Sequence, residues 1–478
     1  MTCALGDLLS GHARLMAGEG GTPVAAITAD SRKVAPGSLF VAIPGTRADG
    51  TRFIAQAVAQ GAAAILMEPV ADLPAVPLPV AFSLNVRRSL ALACARLSPR
   101  QPKVVAAVTG TAGKTSVAFF LRHIYGALGH RAAYLGTLGL VTQDTTRYGG
   151  LTSPGPEDLH PLLDSLAGEG ITHMALEASS HGLDQHRIDG VRISAGGFTN
   201  LGRDHLDYHP TIEAYYRAKL RLFSEVVPET ASAVALTTAP YGALTLAFAR
   251  TRGLPTLAIG PGGDLDVAAV DPAGTGQIVR FSDGRTVAIP LIGAFQADNA
   301  LLAAGLAIAT GEDRDAALCA LETLPGVPGR LERIGRDDDR LVFVDYAHKP
   351  EALEAVLETV RAAIPGRLVV VFGCGGDRDR GKRPLMGEIA TARADVVIVT
   401  DDNPRSEPPA AIRAEILAAA PGAREIGDRA EAISTAIALL RRGDALVVAG
   451  KGHETGQIIG DRTFPFSDAA AIAAALES

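Results

Sequence analysis

The sequence has little of three features that would assign it to other classes of protein: paired cysteines, excess positive charge and long apolar runs. Cys3, Cys94, Cys319 and Cys374 form no CxxC pair or Cys/His cluster, which predicts reduced thiols in a cytoplasmic protein. The formal charge is −7, so the basic surface of a nucleic-acid binder is not expected. No apolar run approaches ~20 residues and the N-terminal MTCALGDLLSGHARL has no unbroken apolar core, so neither a membrane span nor a signal peptide is predicted.

What the sequence contains is typical of several α/β domains. Its 478 residues exceed one ordinary core, and 47% hydrophobic with 20% charged residues argues against disorder. Short apolar strand patterns alternate with helical lengths, which favours mostly parallel sheets covered by helices. The segments PRQPK and LPGVPGRLE interrupt this alternation. We therefore predict a small α/β domain at 1–98, a second at 99–326 and a Rossmann-like domain at 327–478, with ligands beyond the carboxyl ends of the strands.

The segment TGTAGKTS at 109–116 follows a buried strand and opens a helix, the context of a phosphate-binding loop. Lys114 would reach the outer phosphates and Thr115 could hold magnesium. Val108 replaces the first glycine of the strict motif, so the alternative is a glycine-rich turn with an exposed lysine. Glu177 ends the apolar run MALE and could be a magnesium-side carboxylate, although alone an ordinary strand end explains it better.

A lysine lies within an apolar helical stripe. The segment TIEAYYRAKLRLFS at 211–224 predicts a helix with Thr211 as N-cap, and Lys219 falls among its apolar positions. A buried lysine either reaches water along its stem or loses its proton, and the pattern alone favours the first. A neutral amine could combine with carbon dioxide to give an anionic carbamate that suits a metal. Alone, His205 is more typical of a capping or core histidine than of a ligand.

Nine motifs then follow one another along the chain: TGTAGKTS, LEASSHGLDQHR, TNLGRDHLDYH, RAK, QADNALLA, GRLE, VDYAH, DNPR and GKGHE. In this order the chain resembles the Mur ligase family over nearly its whole length. The resemblance implies a UDP-substrate domain, a central ATPase and a C-terminal amino-acid domain. It further implies a cytoplasmic, monomeric ligase that uses ATP and Mg²⁺ in peptidoglycan precursor synthesis.

Matching motifs carry the family's site residues to this chain. The resemblance implies ATP contacts at Gly110, Thr111, Ala112, Gly113, Lys114, Thr115, Ser116, Asn299, Arg330 and Asp345. It implies one magnesium on Thr115 and Glu177 and a second on His205 and carbamylated Lys219, with Lys114, Glu177, His205 and Lys219 catalytic. Contacts to UDP-N-acetylmuramoyl-L-alanyl-D-glutamate are implied for Ser31, Thr46, Arg47, Ala48, Thr152, Ser153, Ser179, Gln185 and Arg187. Ala112 departs from the usual Asn, and LTSP at 151–154 from the commoner NTT or LTTP.

The segment DDNPRSE indicates which amino acid the ligase would add as the third residue of the peptide. It follows the strand pattern ADVVIVT, which places Arg405 at a strand's carboxyl end. Arg pairs with a carboxylate through two hydrogen bonds, and meso-diaminopimelate has a second carboxylate where lysine has none. Within the family, DNPR marks the enzymes that add diaminopimelate. The implied contacts are Arg383, Asp402, Asn403, Pro404, Arg405, Gly450 and Glu454. A turn with a solvated arginine is the alternative.

Two other functions are compatible with parts of this pattern. A folylpolyglutamate synthetase shares the ATPase plan, but the N-terminal domain and DNPR argue against it. A nucleotide-dependent switch or scaffold would bind ATP without ligation, but it would not need the combination of Lys114, Glu177, His205, Lys219 and Arg405.

Overall fold

The structure is a computed structural model that describes residues 2–45, 49–70, 76–147, 149–335 and 340–477. The chain forms two compact units, one of Met1–Asp266 with Leu301–Ala317 and one of Val267–Ala300 with Leu318–Ser478. None of the helices in the described part of the chain combines the length and apolar character of a membrane span. The α/β class with parallel sheets is confirmed, while the domain boundaries at 98/99 and 326/327 stay predictions.

The first unit begins with a five-stranded sheet. In spatial order its strands are Arg14–Ala17, Val80–Phe82, Ala64–Met67, Ser38–Ala42 and Ala26–Thr28, and only the first runs antiparallel to its neighbour. The helices are Leu5–Leu9, Ile54–Ala59 and Val86–Leu97, with 3-10 turns at Ser31–Lys33 and Gly50–Phe53 and a pair of short strands, Cys3–Ala4 and Pro23–Val24. Buried aliphatic residues on both faces form its core.

The same unit contains an eight-stranded sheet. Its order is Thr146–Arg147, Gly139–Val141, Ala132–Gly136, His173–Glu177, Val104–Thr109, Ala195–Phe198, Ser232–Leu236 and Thr256–Ile259, and the last six strands are parallel. Its helices are Lys114–Ala127, Pro156–Gly168, Ser180–Asp184, Ile212–Arg221 and Gly242–Thr251, and a π-helical turn spans Leu222–Val226. The helices Ala294–Ala309 and Arg314–Cys319 each contain a division between the units.

The second unit holds a three-stranded antiparallel sheet and a six-stranded sheet. The first comprises Val267–Ala273, Gly276–Phe281 and Thr286–Ile289. The second has the order Glu332–Arg333, Leu341–Asp345, Ala445–Ala449, Leu368–Phe372, Val396–Val399 and Arg424–Glu425, parallel after its first strand. Its helices are Pro350–Ala363, Lys382–Arg393, Pro409–Leu417, Arg429–Ala438 and Asp468–Glu477, with a 3-10 turn at Ala320–Thr323 and a hairpin of Gly456–Ile459 and Arg462–Pro465.

The local sequence accounts for the bounds of several strands and helices. Leu341–Asp345 and Leu368–Phe372 are fully buried runs, as parallel strands covered on both faces must be. Side-chain caps fix several helix starts: Thr211 Oγ1 accepts a hydrogen bond from Ala214 N, as predicted. The carboxyl ends of the parallel strands therefore carry loops whose polar side chains face solvent or a ligand.

Candidate functional site

The glycine-rich loop 110–113 joins the central strand Val104–Thr109 to the helix Lys114–Ala127. Gly110 has φ +144° and Gly113 has φ +83°, so two left-handed residues turn the chain sharply into the helix. Lys114 Nζ donates hydrogen bonds to the carbonyl oxygens of Gly110 and Thr111, each at 2.9 Å. Helix N–H groups and an ammonium thus meet at one loop, which is an arrangement that binds phosphate.

Two residues that sequence reasoning missed hold this loop. Thr199, just after the strand Ala195–Phe198, donates from Oγ1 to the Ala112 carbonyl oxygen at 2.6 Å. Asn200 accepts from Ala112 N through its side chain at 3.1 Å and from Thr111 N through its backbone at 2.9 Å. The Ala112 N–H is therefore engaged with Asn200. The TNLG motif was the available signal, because polar residues directly follow a buried strand there.

Lys219 is 1% exposed, and its Nζ donates to the Gly110 carbonyl oxygen at 2.6 Å. The same Nζ lies 4.2 Å from the centre of the Tyr215 ring. The helical pattern alone favoured an ammonium that reaches water; this expectation was wrong, because the helix turns Lys219 toward the phosphate loop. Burial, followed by the charge of Lys114, lowers the pKa of Lys219 well below its ordinary value, which favours the neutral amine.

Glu177 ends the strand His173–Glu177 and pairs in register with Val108, at the sheet edge where the phosphate loop begins. Its carboxylate is fully buried and accepts from Tyr134 Oη, from Thr137 N at 2.9 Å and from Thr137 Oγ1 at 3.2 Å. A carboxylate has about four lone-pair sites, so these three donors leave acceptor capacity for a further partner. The Glu177 carboxyl thus lies at the strand end beside the phosphate loop.

His205 lies in the loop after the strand Ala195–Phe198, with φ +53° and a side chain that is 45% exposed. Its ring centre is 4.8 Å from that of His181 and 6.1 Å from that of Tyr215. Tyr215 is also the ring that Lys219 contacts. His205 and Lys219 therefore both lie near the Tyr215 ring.

We expect Gly110→Ala to unfold at lower temperature and to lose nucleotide affinity. A Cβ at this position would lie 1.8 Å from Thr199 Oγ1 and 3.0 Å from Asn200 N, the two residues that hold the loop. The collision should add about 1–3 kcal/mol to the cost of the backbone conformation. Thermal unfolding and binding of a fluorescent ATP analogue measure the two effects.

Gly129→Ala is the matched control, since Gly129 has φ +87° and open space around its Cβ position. It should show only the backbone cost, about 1–2 kcal/mol, with unchanged nucleotide affinity. Equal destabilisation of the two variants would contradict the role of Thr199 and Asn200 as the support of the loop.

The residues expected to contact the muramoyl peptide form one hydrogen-bonded group. Ser153 Oγ donates to the Glu177 carbonyl oxygen and accepts from Ser179 N. Arg187 donates to the Ser153 carbonyl oxygen at 3.0 Å and to Gln185 Oε1 at 2.7 Å. Within the described part of the chain these contacts give the guanidinium no carboxylate partner, so its charge is available to an anionic ligand.

Other expected contacts of this substrate are placed less directly. Thr152 Oγ1 lies 3.1 Å from Thr137 Oγ1, next to Glu177. Ser31 is buried in the five-stranded region, where its hydroxyl donates to Gln56 Oε1 at 3.1 Å. Thr46, Arg47 and Ala48 lie outside the described residues.

In the second unit, the three residues expected to bind nucleotide are connected. Asp345 accepts from Leu331 N at 2.6 Å and from Ala347 N at 2.7 Å, and burial raises the pKa of its carboxyl. The Arg330 guanidinium lies 4.8 Å from the centre of the Tyr346 ring. Gln296 connects Arg330 to Asn299, because its side chain donates to the Arg330 carbonyl oxygen and accepts from Asn299 Nδ2.

Arg405 follows the strand Val396–Val399 and adopts φ +51°. Its Nη1 donates to the carbonyl oxygens of Gly376 at 2.8 Å and Asn403 at 3.4 Å. Among the residues that the structure describes, no carboxylate forms an ion pair with this guanidinium. A half-buried cation that contacts only carbonyl oxygens is suited to a ligand carboxylate.

Arg383 differs from this pattern. It is fully buried and donates to Glu407 at 2.9 and 3.0 Å and to Glu415 at 2.9 Å. Asp377 N also donates to Glu407, so the paired Arg383 supports the loop that lies against Pro404 and Arg405. Its contact with an amino acid stays a prediction.

The remaining expected amino-acid contacts surround Lys451, which sequence reasoning missed. Lys451 is fully buried, and its Nζ donates to Asn403 Oδ1 at 3.1 Å and to Glu454 Oε2 at 3.0 Å. Asn403 Nδ2 donates to Glu454 at 2.9 Å, and burial raises the pKa of Asp402. Gly450 has φ +114° and a Cβ there would lie 3.6 Å from Asp402. The sequence signal for Lys451 was its position between Gly450 and Gly452, directly after a buried strand.

Comparison with known proteins places this geometry among enzymes of one kind. Residues 23–102, 108–307 and 329–452 match the families described as "Mur ligase family, catalytic domain", "Mur ligase middle domain" and "Mur ligase, glutamate ligase domain". The chain is 54% identical to the UDP-N-acetylmuramoyl-L-alanyl-D-glutamate–2,6-diaminopimelate ligase of Bradyrhizobium diazoefficiens, over 99% of both chains. It is 53% identical to the ligase of the same name from Agrobacterium fabrum, over 96% of this chain and 94% of the other.

A solved structure of a protein with the same name has 32% identity to this chain and a TM-score of 0.74. The match covers 100% of this chain and 99% of the solved one.

Proposed function

The chain belongs to the Mur ligase family, and on this premise we propose that it joins meso-2,6-diaminopimelate to UDP-N-acetylmuramoyl-L-alanyl-D-glutamate with ATP. An amide does not form from a carboxylate and an amine in water without activation. The γ-phosphoryl group of ATP therefore moves to the γ-carboxylate of the D-glutamate, which gives an acyl phosphate and releases ADP. The amine of diaminopimelate attacks the acyl carbon, phosphate leaves, and the amine loses a proton.

The residues around the phosphate loop suit the first step. Backbone N–H groups at the start of the helix Lys114–Ala127 and the Lys114 ammonium offset negative charge that accumulates as the phosphoryl group moves. Arg187 is available to orient the carboxylate-bearing peptide. No protein nucleophile takes part in this chemistry, since the substrate carboxylate itself attacks the phosphorus.

Mur ligases use Mg²⁺, and the oxygen donors beside the loop fit that ion. The Thr115 hydroxyl and the buried Glu177 carboxylate are hard ligands of the kind Mg²⁺ prefers. Bound Mg²⁺ would supply positive charge to the phosphate oxygens.

For a second ion we propose His205 together with a carbamate on Lys219. The neutral Lys219 amine attacks carbon dioxide, a nitrogen–carbon bond forms as one carbon–oxygen π bond opens, and one proton leaves, which gives an anionic oxygen ligand in place of the neutral amine. The lowered pKa of Lys219 and its burial support this step.

The choice of diaminopimelate rests on one observation: Arg405 contacts carbonyl oxygens and no carboxylate among the described residues. The second carboxylate of meso-diaminopimelate supplies that partner, and lysine does not. Glu454 is 33% exposed and accepts from Lys451 and Asn403 through Oε2, and we propose that its carboxylate also accepts from an ammonium group of diaminopimelate. The monomeric state and the cytoplasmic location remain proposals from sequence.

A release assay for phosphate separates this function from the alternatives. We expect release only when ATP, the UDP-linked dipeptide and diaminopimelate are all present, with lysine used about two to four orders of magnitude less well. Mass spectrometry of the product identifies the amino acid added. Release with ATP alone would indicate a switch or scaffold, release with a folate substrate would indicate a folylpolyglutamate synthetase, and equal use of lysine would remove the proposed selectivity.

A further inference from the structure

A second group of metal-ligating side chains lies at the opposite edge of the eight-stranded sheet. His173 opens the strand that Glu177 ends, so the two residues occupy opposite ends of one strand. His130 follows the helix Lys114–Ala127, and Glu312 follows the helix Ala294–Ala309. Three segments far apart in sequence therefore meet here, and the proposed ligase chemistry uses none of them.

The three side chains converge on one carboxylate oxygen. Glu312 Oε1 lies 3.0 Å from His130 Nε2 and 3.4 Å from His173 Nε2. The three ligand atoms all lie within 4.8 Å of one another. The imidazole rings are stacked, with centres 3.8 Å apart and planes inclined by 27°. Both Nε2 atoms reach the same carboxylate oxygen, and metal binding through both lone pairs would turn the His130 ring, whose side chain is 31% exposed, out of this stack.

A hydrogen-bond chain orients His173. The Thr172 hydroxyl lies 2.9 Å from His173 Nδ1 and 3.4 Å from the Arg131 carbonyl oxygen, so hydrogen bonding holds the His173 ring in place. In the tautomer with the proton on Nδ1, His173 Nε2 carries a lone pair. In that tautomer Nε2 and Glu312 Oε1 are two ligand atoms 3.4 Å apart, and a metal ion takes the place that a proton otherwise occupies between them. Metal-bound histidines are oriented by the same kind of outer hydrogen bond.

The geometry also agrees with one class of ion. A tetrahedral Zn²⁺ with bonds of about 2.0–2.1 Å holds neighbouring ligand atoms about 3.3 Å apart. The two nitrogen–oxygen separations in this cluster, 3.0 and 3.4 Å, span that value. Imidazole nitrogen favours Zn²⁺ and related transition metals over Mg²⁺. His130 is 31% exposed, which opens one side of the cluster to solvent.

We propose that His130, His173 and Glu312 bind a divalent transition metal, Zn²⁺ by preference, with a fourth position open to water. Such an ion would tie together the helix ends before His130 and Glu312 and the start of the strand at His173. Its effect would be on stability, since the cluster and the phosphate loop lie at opposite edges of the sheet.

Titration of the chelator-treated full-length protein with Co²⁺ in excess Mg²⁺ tests this site. Excess Mg²⁺ occupies oxygen-donor sites, and bound Co²⁺ in a low-coordinate nitrogen–oxygen site gives visible ligand-field absorption. We expect one Co²⁺ per chain, displacement by Zn²⁺ and a rise in the unfolding temperature on metal binding. His130→Gln and Glu312→Gln should lose the absorption and the temperature shift, whereas His12→Gln, a change at a distant half-buried histidine, should keep both.

A change outside the cluster gives a second measurement. Thr172→Val removes the hydrogen-bond partner of His173 Nδ1 and should weaken Co²⁺ binding about 10–100-fold while the fold is kept. The proposal is overturned if wild type shows no ligand-field absorption under these conditions, or if His130→Gln and Glu312→Gln bind Co²⁺ as wild type does. Unfolding curves of the metal-free variants verify that each is folded.

Discussion

Arg405→Ala is expected to lower kcat/KM for diaminopimelate by about two to four orders of magnitude and to leave ATP affinity unchanged. The substitution leaves the second carboxylate of the bound amino acid without a partner in a half-buried site, which costs about 3–5 kcal/mol. ATP binding is preserved because Arg405 is not among the residues expected to contact the nucleotide, and its hydrogen bonds go to the carbonyl oxygens of Gly376 and Asn403. Steady-state kinetics with varied diaminopimelate and equilibrium binding of an ATP analogue measure the two effects.

Two further variants show whether charge or geometry is responsible. Arg405→Lys keeps the charge but not the paired hydrogen bonds, so an intermediate loss is expected. Arg424→Ala changes an exposed arginine of the same unit and should leave the kinetics as in wild type. Unchanged kinetics for Arg405→Ala would remove the argument for diaminopimelate selectivity.

Lys219→Ala is the second change for which we expect a large loss, about 10²–10³-fold or more in kcat. It removes the side chain that would carry the carbamate, and with it one anionic ligand of the second ion. Acetate or formate should restore part of the activity, because a small carboxylate can occupy the space left by the lysine. Lys219→Arg should be inactive as well, since a protonated guanidinium forms no carbamate.

A direct measurement complements the kinetics. Protein equilibrated with ¹³C-labelled bicarbonate should show a carbamate carbon resonance that Lys219→Ala lacks. Lys103→Ala, at an exposed lysine, is the control and should retain the resonance and full activity. Full activity of Lys219→Ala without added carboxylate would disprove the carbamate.

The pKa of Lys219 also predicts how its removal affects stability. Because the folded-state pKa is lowered from 10.5, the unfolded chain binds a proton that the folded chain does not, and Lys219 opposes folding at neutral pH. This cost falls as pH rises toward 10.5. Lys219→Met should therefore stay folded at pH 7 under carbon-dioxide-free conditions, which separates loss of activity from loss of structure.

Local pattern in the sequence was sufficient for much of the fold and for several site positions. Strand, glycine loop and helix at 104–127 were predictable because burial, left-handed glycines and helix start all depend on neighbouring residues. Thr211 as a helix cap is another local feature. The position of Arg405 after a buried strand followed equally from the DNPR segment and the apolar run before it.

What only the tertiary structure decided is which distant groups meet. The sequence showed that Lys219 was unusual, but its hydrogen bond joins it to Gly110, 109 positions away, and no periodicity contains that contact. The pairing of Arg383 with Glu407 and Glu415 has the same origin. So does the convergence of His130, His173 and Glu312, whose residue types carry no spacing signal. Secondary structure depends on short-range sterics and hydrogen bonds, whereas these sites depend on how the sheet brings loops together.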